Sequence, residues 1–251
     1  MEPVKLQFDR MYSSAAEPSP KVRERIAWTT AHVPPEATWI LDVGAGRGRI
    51  ANVLYERGHR VVALDLSRHG LQYCQASKVQ GSAVQLPFRC QAYDLVLCAE
   101  VIEHLTPESR YSLLQEIDRV SRRYILLTVP NNEDLREMQI KCNRCQNLFH
   151  AHGHLASFTL SALERLFPYK PVKLLTSGHR EATWIKPLLT IRQQVLGCYA
   201  WDTFLVCPEC HNTEITPPQR TIAVKVLDKV NYLMGRRREG GWLLALFDKQ
   251  S

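Results

Sequence analysis

The sequence predicts one doubly wound α/β domain on a mostly parallel sheet, interrupted by a small cysteine-bearing module. Three observations carry this. Short apolar runs alternate with amphipathic stretches from residue 39 to about 130; a glycine-rich turn joins the first strand to the first helix; and two C-x-x-C pairs lie beyond residue 140, where that rhythm stops.

Trp39 to Val43 reads as the first strand and Arg60 to Asp65 as the second. Between them Ile50, Val53 and Leu54 recur at helical spacing over Gly48 to Arg57, giving a strand–helix–strand unit. Tyr93 to Cys98 is a buried strand, Tyr111 to Val120 a helix, and Tyr124 to Val129 a strand closed by Pro130. Further on, Phe158 to Phe167 is expected to be a helix opened by Thr159 or Ser161. Val172 to Thr176 and Gly241 to Phe247 are expected to be strands. The long stretch between those two strands is rich in turn formers around 207 to 220 and reads as an insertion.

Composition sets the outer limits. The 251 residues are 45% hydrophobic and 23% charged, which excludes a disordered, collagenous or coiled-coil chain. No uncharged apolar run approaches the roughly 18 residues of a membrane span. The segment from Met1 to Arg10 has no apolar stretch of signal-peptide length, so a cytoplasmic location is expected. In a reducing compartment, paired cysteines are better read as metal ligands than as disulfides. The net charge of +7 is spread along the chain, with one basic run at Arg236 to Arg238.

The most informative segment is Asp42-Val43-Gly44-Ala45-Gly46-Arg47-Gly48-Arg49, which leaves a strand and enters a helix. Glycines there let the backbone approach a ligand closely, and the helix N-terminus offers free N–H groups to an anion. Asp65 ends the second strand, where a carboxylate can accept the hydroxyls of a ribose. The spacing departs from the dinucleotide fingerprint G-x-G-x-x-G. It resembles motif I of the class I S-adenosylmethionine-dependent methyltransferases, whose other motifs match Leu86-Pro87-Phe88, Tyr93-Asp94-Leu95-Val96 and Glu100 to Leu105 in order. The resemblance covers about residues 35 to 180. It implies a Rossmann-like methyltransferase sheet and S-adenosylmethionine as cofactor. Carried over by position, the cofactor-binding set is Asp42, Gly44, Ala45, Gly46, Gly48, Asp65, Leu66, Ser82, Ala83 and Ala99. The glycines would approach the methionine end, Asp65 the ribose, Ser82 and Ala83 the adenine, and Ala99 the sulfur. Ser82 departs from the family pattern, in which many relatives carry Asp.

Methyl transfer from a sulfonium is an in-line displacement, so the protein must align a nucleophile and manage its proton. Glu100, Glu103 and His104 have spacings of three and four; if helical, they share a face at the cofactor pocket. With His154 they form the candidate catalytic set. It resembles the small-RNA 3′-terminal 2′-O-methyltransferases, in which two Glu and two His hold a divalent metal, and the ubiquinone-biosynthesis O-methyltransferases, which share Glu-x-x-Glu-His. Both resemblances imply O-methylation of a hydroxyl beside another oxygen, with Mg²⁺ or Mn²⁺ as the expected ion. Without a metal, His154 or His104 is the general-base candidate.

Cys142, Cys145, Cys207 and Cys210 can supply the four thiolates of a structural zinc site, with His150, His152 and His211 in reserve. The expected organisation is a single methyltransferase domain over 1–251, with zinc-binding insertions at about 136–156 and 181–240 forming a zinc-ribbon-like lid on the substrate side. The expected acceptor is a small-molecule or glycan-like hydroxyl. The alternatives are a nucleic-acid methyltransferase that grips phosphates with the zinc module and Arg236 to Arg238, and a non-catalytic zinc scaffold.

Overall fold

A computed structural model describes residues 3–13, 17–178, 181–235, 237–238 and 240–250. Two helices that the sequence pattern did not disclose come first: α1 (Pro3–Ser13) and α2 (Pro20–Ala31). Ser19 opens α2 by accepting the Val22 N–H at 3.3 Å, and Pro20 takes the first helical position, where its missing N–H costs nothing.

The alternating half follows as β1 (Trp39–Val43), α3 (Arg49–Glu56), β2 (Arg60–Asp65), α4 (Arg68–Leu71), β3 (Ser77–Gln80), β4 (Tyr93–Ala99), α5 (Pro107–Val120) and β5 (Ser121–Pro130). The helix expected from Tyr111 begins earlier, because Thr106 caps it by accepting the Ser109 N–H and Pro107 occupies its first position. Beyond β5 come β6 (Gln139–Lys141), β7 (Leu148–His150), α6 (Leu160–Glu164), β8 (Pro171–Ser177), β9 (Glu181–Ala182), α7 (Lys186–Thr190), α8 (Ile222–Met234), β10 (Arg237–Arg238) and β11 (Trp242–Asp248).

Seven strands form one sheet in the order β3-β2-β1-β4-β5-β11-β8. The first five are mutually parallel, and β11 runs antiparallel to both β5 and β8. Alternate residues feed opposite faces, as the pleat requires. Leu41, Val96, Ile125 and Leu127 pack with Leu113 and Ile117 of α5 on one side. Ile40, Leu95, Leu97 and Leu126 pack with Ile50 and Leu54 of α3 on the other. This is the doubly wound, mostly parallel α/β sheet that the sequence predicts.

Two expectations change. The helix placed over Phe158 to Phe167 shortens to α6, because Thr159 caps it and Phe158 instead bridges Asn131 and fills the core. The stretch read as a turn-rich insertion holds α7, which runs on as a π-helix over Ile191–Val195, and α8, besides its cysteine knuckle. Of the basic run, Arg236 lies outside the described residues; Arg237 and Arg238 pair with Ala182 and Glu181. Among the described residues no helix is long and apolar enough to cross a membrane.

Candidate active site and cysteine cluster

A cleft of about 630 Å³ opens at the carboxyl ends of β1, β4 and β5, within the size range of small-molecule sites. Its walls include Asp42, Gly44, Ala45 and Gly46 from the turn after β1, Ala99 and Glu100 after β4, and His104 and His154. The glycine turn is sterically obligatory. Gly44 has φ +73°, and a Cβ there would lie 2.4 Å from Val101 Cγ2; Gly46 has φ +53°, and its Cβ would meet the Tyr12 hydroxyl at 2.7 Å. Asp42 is buried, and its Oδ2 has no hydrogen-bond partner. Burial and then the nearby charge of Asp65 raise its carboxyl to about 7.

The remaining cofactor candidates lie apart from these walls. Asp65 is buried and accepts the Gly46 N–H on Oδ2 and the Ser67 N–H on Oδ1, both at 2.7 Å, so in this structure its carboxylate braces the glycine loop. Gly48 caps α3 in a left-handed conformation. Leu66 is 42% exposed, Ser82 is exposed with its hydroxyl 3.4 Å from the Val84 N–H, and Ala83 packs on the core. Phe8, Met11 and Tyr12 of α1 also line the cleft, and α1 is tied down where Gln7 donates to the Ala151 carbonyl at 2.6 Å.

The acidic and imidazole groups separate into two sets. After β4 the chain makes only a short 3₁₀ turn over Ile102–His104, and Glu100 takes a left-handed φ of +58°. The expected helical face therefore does not form. Glu100 turns to Arg25, at 2.5 Å, while Glu103 and His104 face His154. One donor atom from each of Glu103, His104 and His154 lies within 4.8 Å of the others. The backbone brings them together, since the Glu103 carbonyl accepts the N–H groups of Leu155 and Ala156.

Glu103 is fully buried, and neither carboxylate oxygen has a hydrogen-bond partner. Burial first, and the charge of Glu100 second, push its carboxyl well above the usual range. Burial, then His154, holds His104 down to about 3, so its ring is neutral. Its Nδ1 faces the Gly153 carbonyl at 3.3 Å; a carbonyl only accepts, so the proton sits on Nδ1 and the lone pair on Nε2. His154 has the same arrangement, with Nδ1 at 2.6 Å from Glu133 Oε2. A buried, orphaned carboxylate beside two such imidazoles is a donor set that fits a divalent cation.

Glu133 is a residue that sequence reasoning missed. It sits just past β5, at the strand end where α/β sheets place their functional groups, and that position was its only signal. His150 stands on its other side. Its Nδ1 accepts the N–H groups of His152 and His154 at 3.3 and 3.2 Å, which puts the proton on Nε2. That atom is 3.3 Å from Glu133 Oε1, close enough for attraction though not aligned for a hydrogen bond. Burial opposes ionisation of Glu133, but the two imidazoles outweigh it and hold its carboxyl well below the ordinary range.

The four cysteines, none of which lines this cleft, converge with their sulfurs within 4.8 Å of one another. Cys142 Sγ is 3.7 Å from Cys210 Sγ, and Cys145 Sγ is 3.5 Å from Cys207 Sγ. The two knuckles have the same backbone form. Gln146 N–H bonds the Cys142 carbonyl and His211 N–H the Cys207 carbonyl, each at 3.0 Å, with Gln146 and His211 both at positive φ. Burial disfavours a Cys142 thiolate, yet the N–H groups of Cys145 and Arg144 bring this thiol down to about 6. Ile140, Leu205 and Ile215 pack around the cluster as a separate small core.

Residues 41–124 match the family model described as a methyltransferase domain. A ubiquinone biosynthesis O-methyltransferase of Leptothrix cholodnii is 24% identical over 213 residues, covering 80% of this chain and 77% of that protein. One from Chromobacterium violaceum is 31% identical over 97 residues, covering 34% of this chain and only 41% of the relative. Among solved structures, a SAM-dependent methyltransferase from Archaeoglobus fulgidus superposes with a TM-score of 0.53 at 18% identity, covering 91% and 92% of the two chains. The Burkholderia thailandensis 1,6-didemethyltoxoflavin-N1-methyltransferase, solved with S-adenosylhomocysteine, gives 0.51 at 18%, covering 92% of this chain and 78% of that one. Residues 41–124 thus match a methyltransferase domain, and the chain as a whole shares the Rossmann-like fold of these S-adenosylmethionine-dependent methyltransferases.

Proposed function

We propose that the protein transfers a methyl group from S-adenosylmethionine to a hydroxyl flanked by a second oxygen, on a small-molecule or glycan-like acceptor. The observation that carries this reading is the Glu103 carboxylate, buried without a partner beside His104 and His154, whose imidazoles line the same cleft as the glycine turn. The similarity to ubiquinone biosynthesis O-methyltransferases supports oxygen as the nucleophile.

Glu103, His104 and His154 would hold Mg²⁺ or Mn²⁺, which when bound acidifies a chelated hydroxyl. Glu133 keeps His154 in the tautomer that leaves Nε2 free. Arg25 draws Glu100 away from the set. Asp42 and the Gly44 to Gly48 turn form the cofactor wall, with Asp65 bracing that turn and reaching the ribose when the cofactor is seated. Leu66, Ser82 and Ala83 border the adenine, and Ala99 the sulfur. The acceptor oxygen attacks the sulfonium methyl; the O–C bond forms as the C–S bond breaks, and the hydroxyl proton leaves to solvent.

Cys142, Cys145, Cys207 and Cys210 bind one structural zinc, which joins the two excursions of a single domain into a lid on the substrate side. The two like-shaped knuckles support this assignment.

The test is methyl transfer from labelled S-adenosylmethionine to a panel of catechols and vicinal diols, with Mn²⁺ and with EDTA. Turnover that needs the ion and is lost in Glu103→Gln is expected. Full turnover in EDTA would remove the metal and leave His154 as the proton acceptor.

A further inference from the structure

Helix α8 carries an outward face that the rest of the chain leaves uncovered. Ile222, Val226 and Leu233 recur at intervals of four and seven, which puts them on one stripe of the helix. Ile222 is 80% exposed and Leu233 69%, and Val226, Tyr232 and Met234 beside them are also mostly in water. Large apolar side chains gathered on one surface helix mark a contact site rather than ordinary scatter.

The helix cannot roll to bury this stripe, because its opposite side is locked. Val224 is fully buried. Asn231 is buried too; its Oδ1 accepts the Ile185 N–H at 2.8 Å, and its Nδ2 donates to the Thr183 carbonyl at 3.4 Å.

The charges on α8 are as one-sided as its apolar groups. Its outward lysines, Lys225 and Lys229, are exposed. Its one acidic residue, Asp228, is paired with Arg192 at 3.0 Å and with Arg220. The face is therefore apolar and purely cationic, on a chain of net charge +7. A second copy seated on the same face by a two-fold axis would set lysine against lysine, which disfavours self-association. The complementary surface is apolar beneath an anionic layer.

We propose that α8 docks the protein onto anionic lipid bilayers, lying in the membrane plane with Ile222, Val226, Leu233 and Met234 among the acyl chains and Lys225 and Lys229 at the headgroups. This attachment is independent of the transfer chemistry.

Vesicle flotation of the 251-residue protein tests it. Phosphatidylcholine vesicles containing one-third phosphatidylglycerol should carry the protein; pure phosphatidylcholine should carry far less, and added salt should release it. The double variant Val226→Glu, Leu233→Glu changes only exposed side chains. It should keep its circular dichroism and thermal midpoint while losing about tenfold or more of the partitioning. Failure of the folded wild type to float with the anionic vesicles would overturn the proposal. So would concentration-dependent dimerisation, seen by sedimentation and abolished by the same double variant, which would give the face to a second copy.

Discussion

His154 Nδ1 lies 2.6 Å from Glu133 Oε2, and this contact fixes which nitrogen of His154 carries a proton. An ionised carboxylate only accepts, so the imidazole presents its lone pair from Nε2, on the far side of the ring. Carboxylate–histidine pairs of this kind orient metal-binding imidazoles, and their loss costs about 10- to 100-fold in metal affinity or activity. Glu133→Ala should weaken Mn²⁺ binding by that range, measured by metal titration, with S-adenosylmethionine affinity nearly unchanged. Glu133→Gln, which keeps an acceptor oxygen for Nδ1, should lie between the variant and the wild type.

The cysteine cluster should retain one zinc per chain through purification. Cys207→Ser should lower both the zinc content and the thermal midpoint, because binding of the ion and ordering of the two excursions are coupled. Elemental analysis and a melting curve measure both. Protein purified without chelator and carrying no zinc would contradict the assignment.

Asp42 gives a pH dependence of defined sign. Its folded-state pKa is raised to about 7 by burial and by the charge of Asp65, against an ordinary value of 3.8. The folded cofactor-free protein therefore holds a proton that the unfolded chain releases. The stabilisation from this group is complete below about pH 4 and is lost as the pH rises through 7, at up to about 1.4 kcal/mol per pH unit. Asp42→Asn removes the titration. The melting temperature of this variant, minus that of wild type, should become more positive between pH 5 and pH 8 in cofactor-free protein.

Much of this architecture was legible in the chain. The strand at Trp39–Val43, the one at Arg60–Asp65 and the helix between them follow from apolar periodicity, because buried parallel strands leave continuous apolar runs. The two C-x-x-C pairs announced their cluster by spacing alone. Helices α1 and α2 escaped notice because their apolar patterning is weak, although Ser19-Pro20 was a readable start signal. The site was harder to read. Glu100, Glu103 and His104 have helical spacing, but the left-handed Glu100 and the 3₁₀ turn rotate Glu100 out of the group, and backbone dihedrals are not written in spacing. Glu133 joins His154 only through tertiary contact. Asp65 ends its strand as expected, yet its oxygens meet the loop N–H groups, a local pairing that sequence position does not disclose.

The S-adenosylmethionine cleft and a divalent-ion site formed by Glu103, His104 and His154 should adjoin. Paramagnetic relaxation tests this without knowledge of the acceptor. With Mn²⁺ added to the protein, the sulfonium methyl resonance of S-adenosylmethionine should broaden strongly, and the broadening should disappear in Glu103→Gln while cofactor affinity is retained. A methyl resonance that stays sharp with both cofactor and Mn²⁺ bound to the wild type would contradict the account.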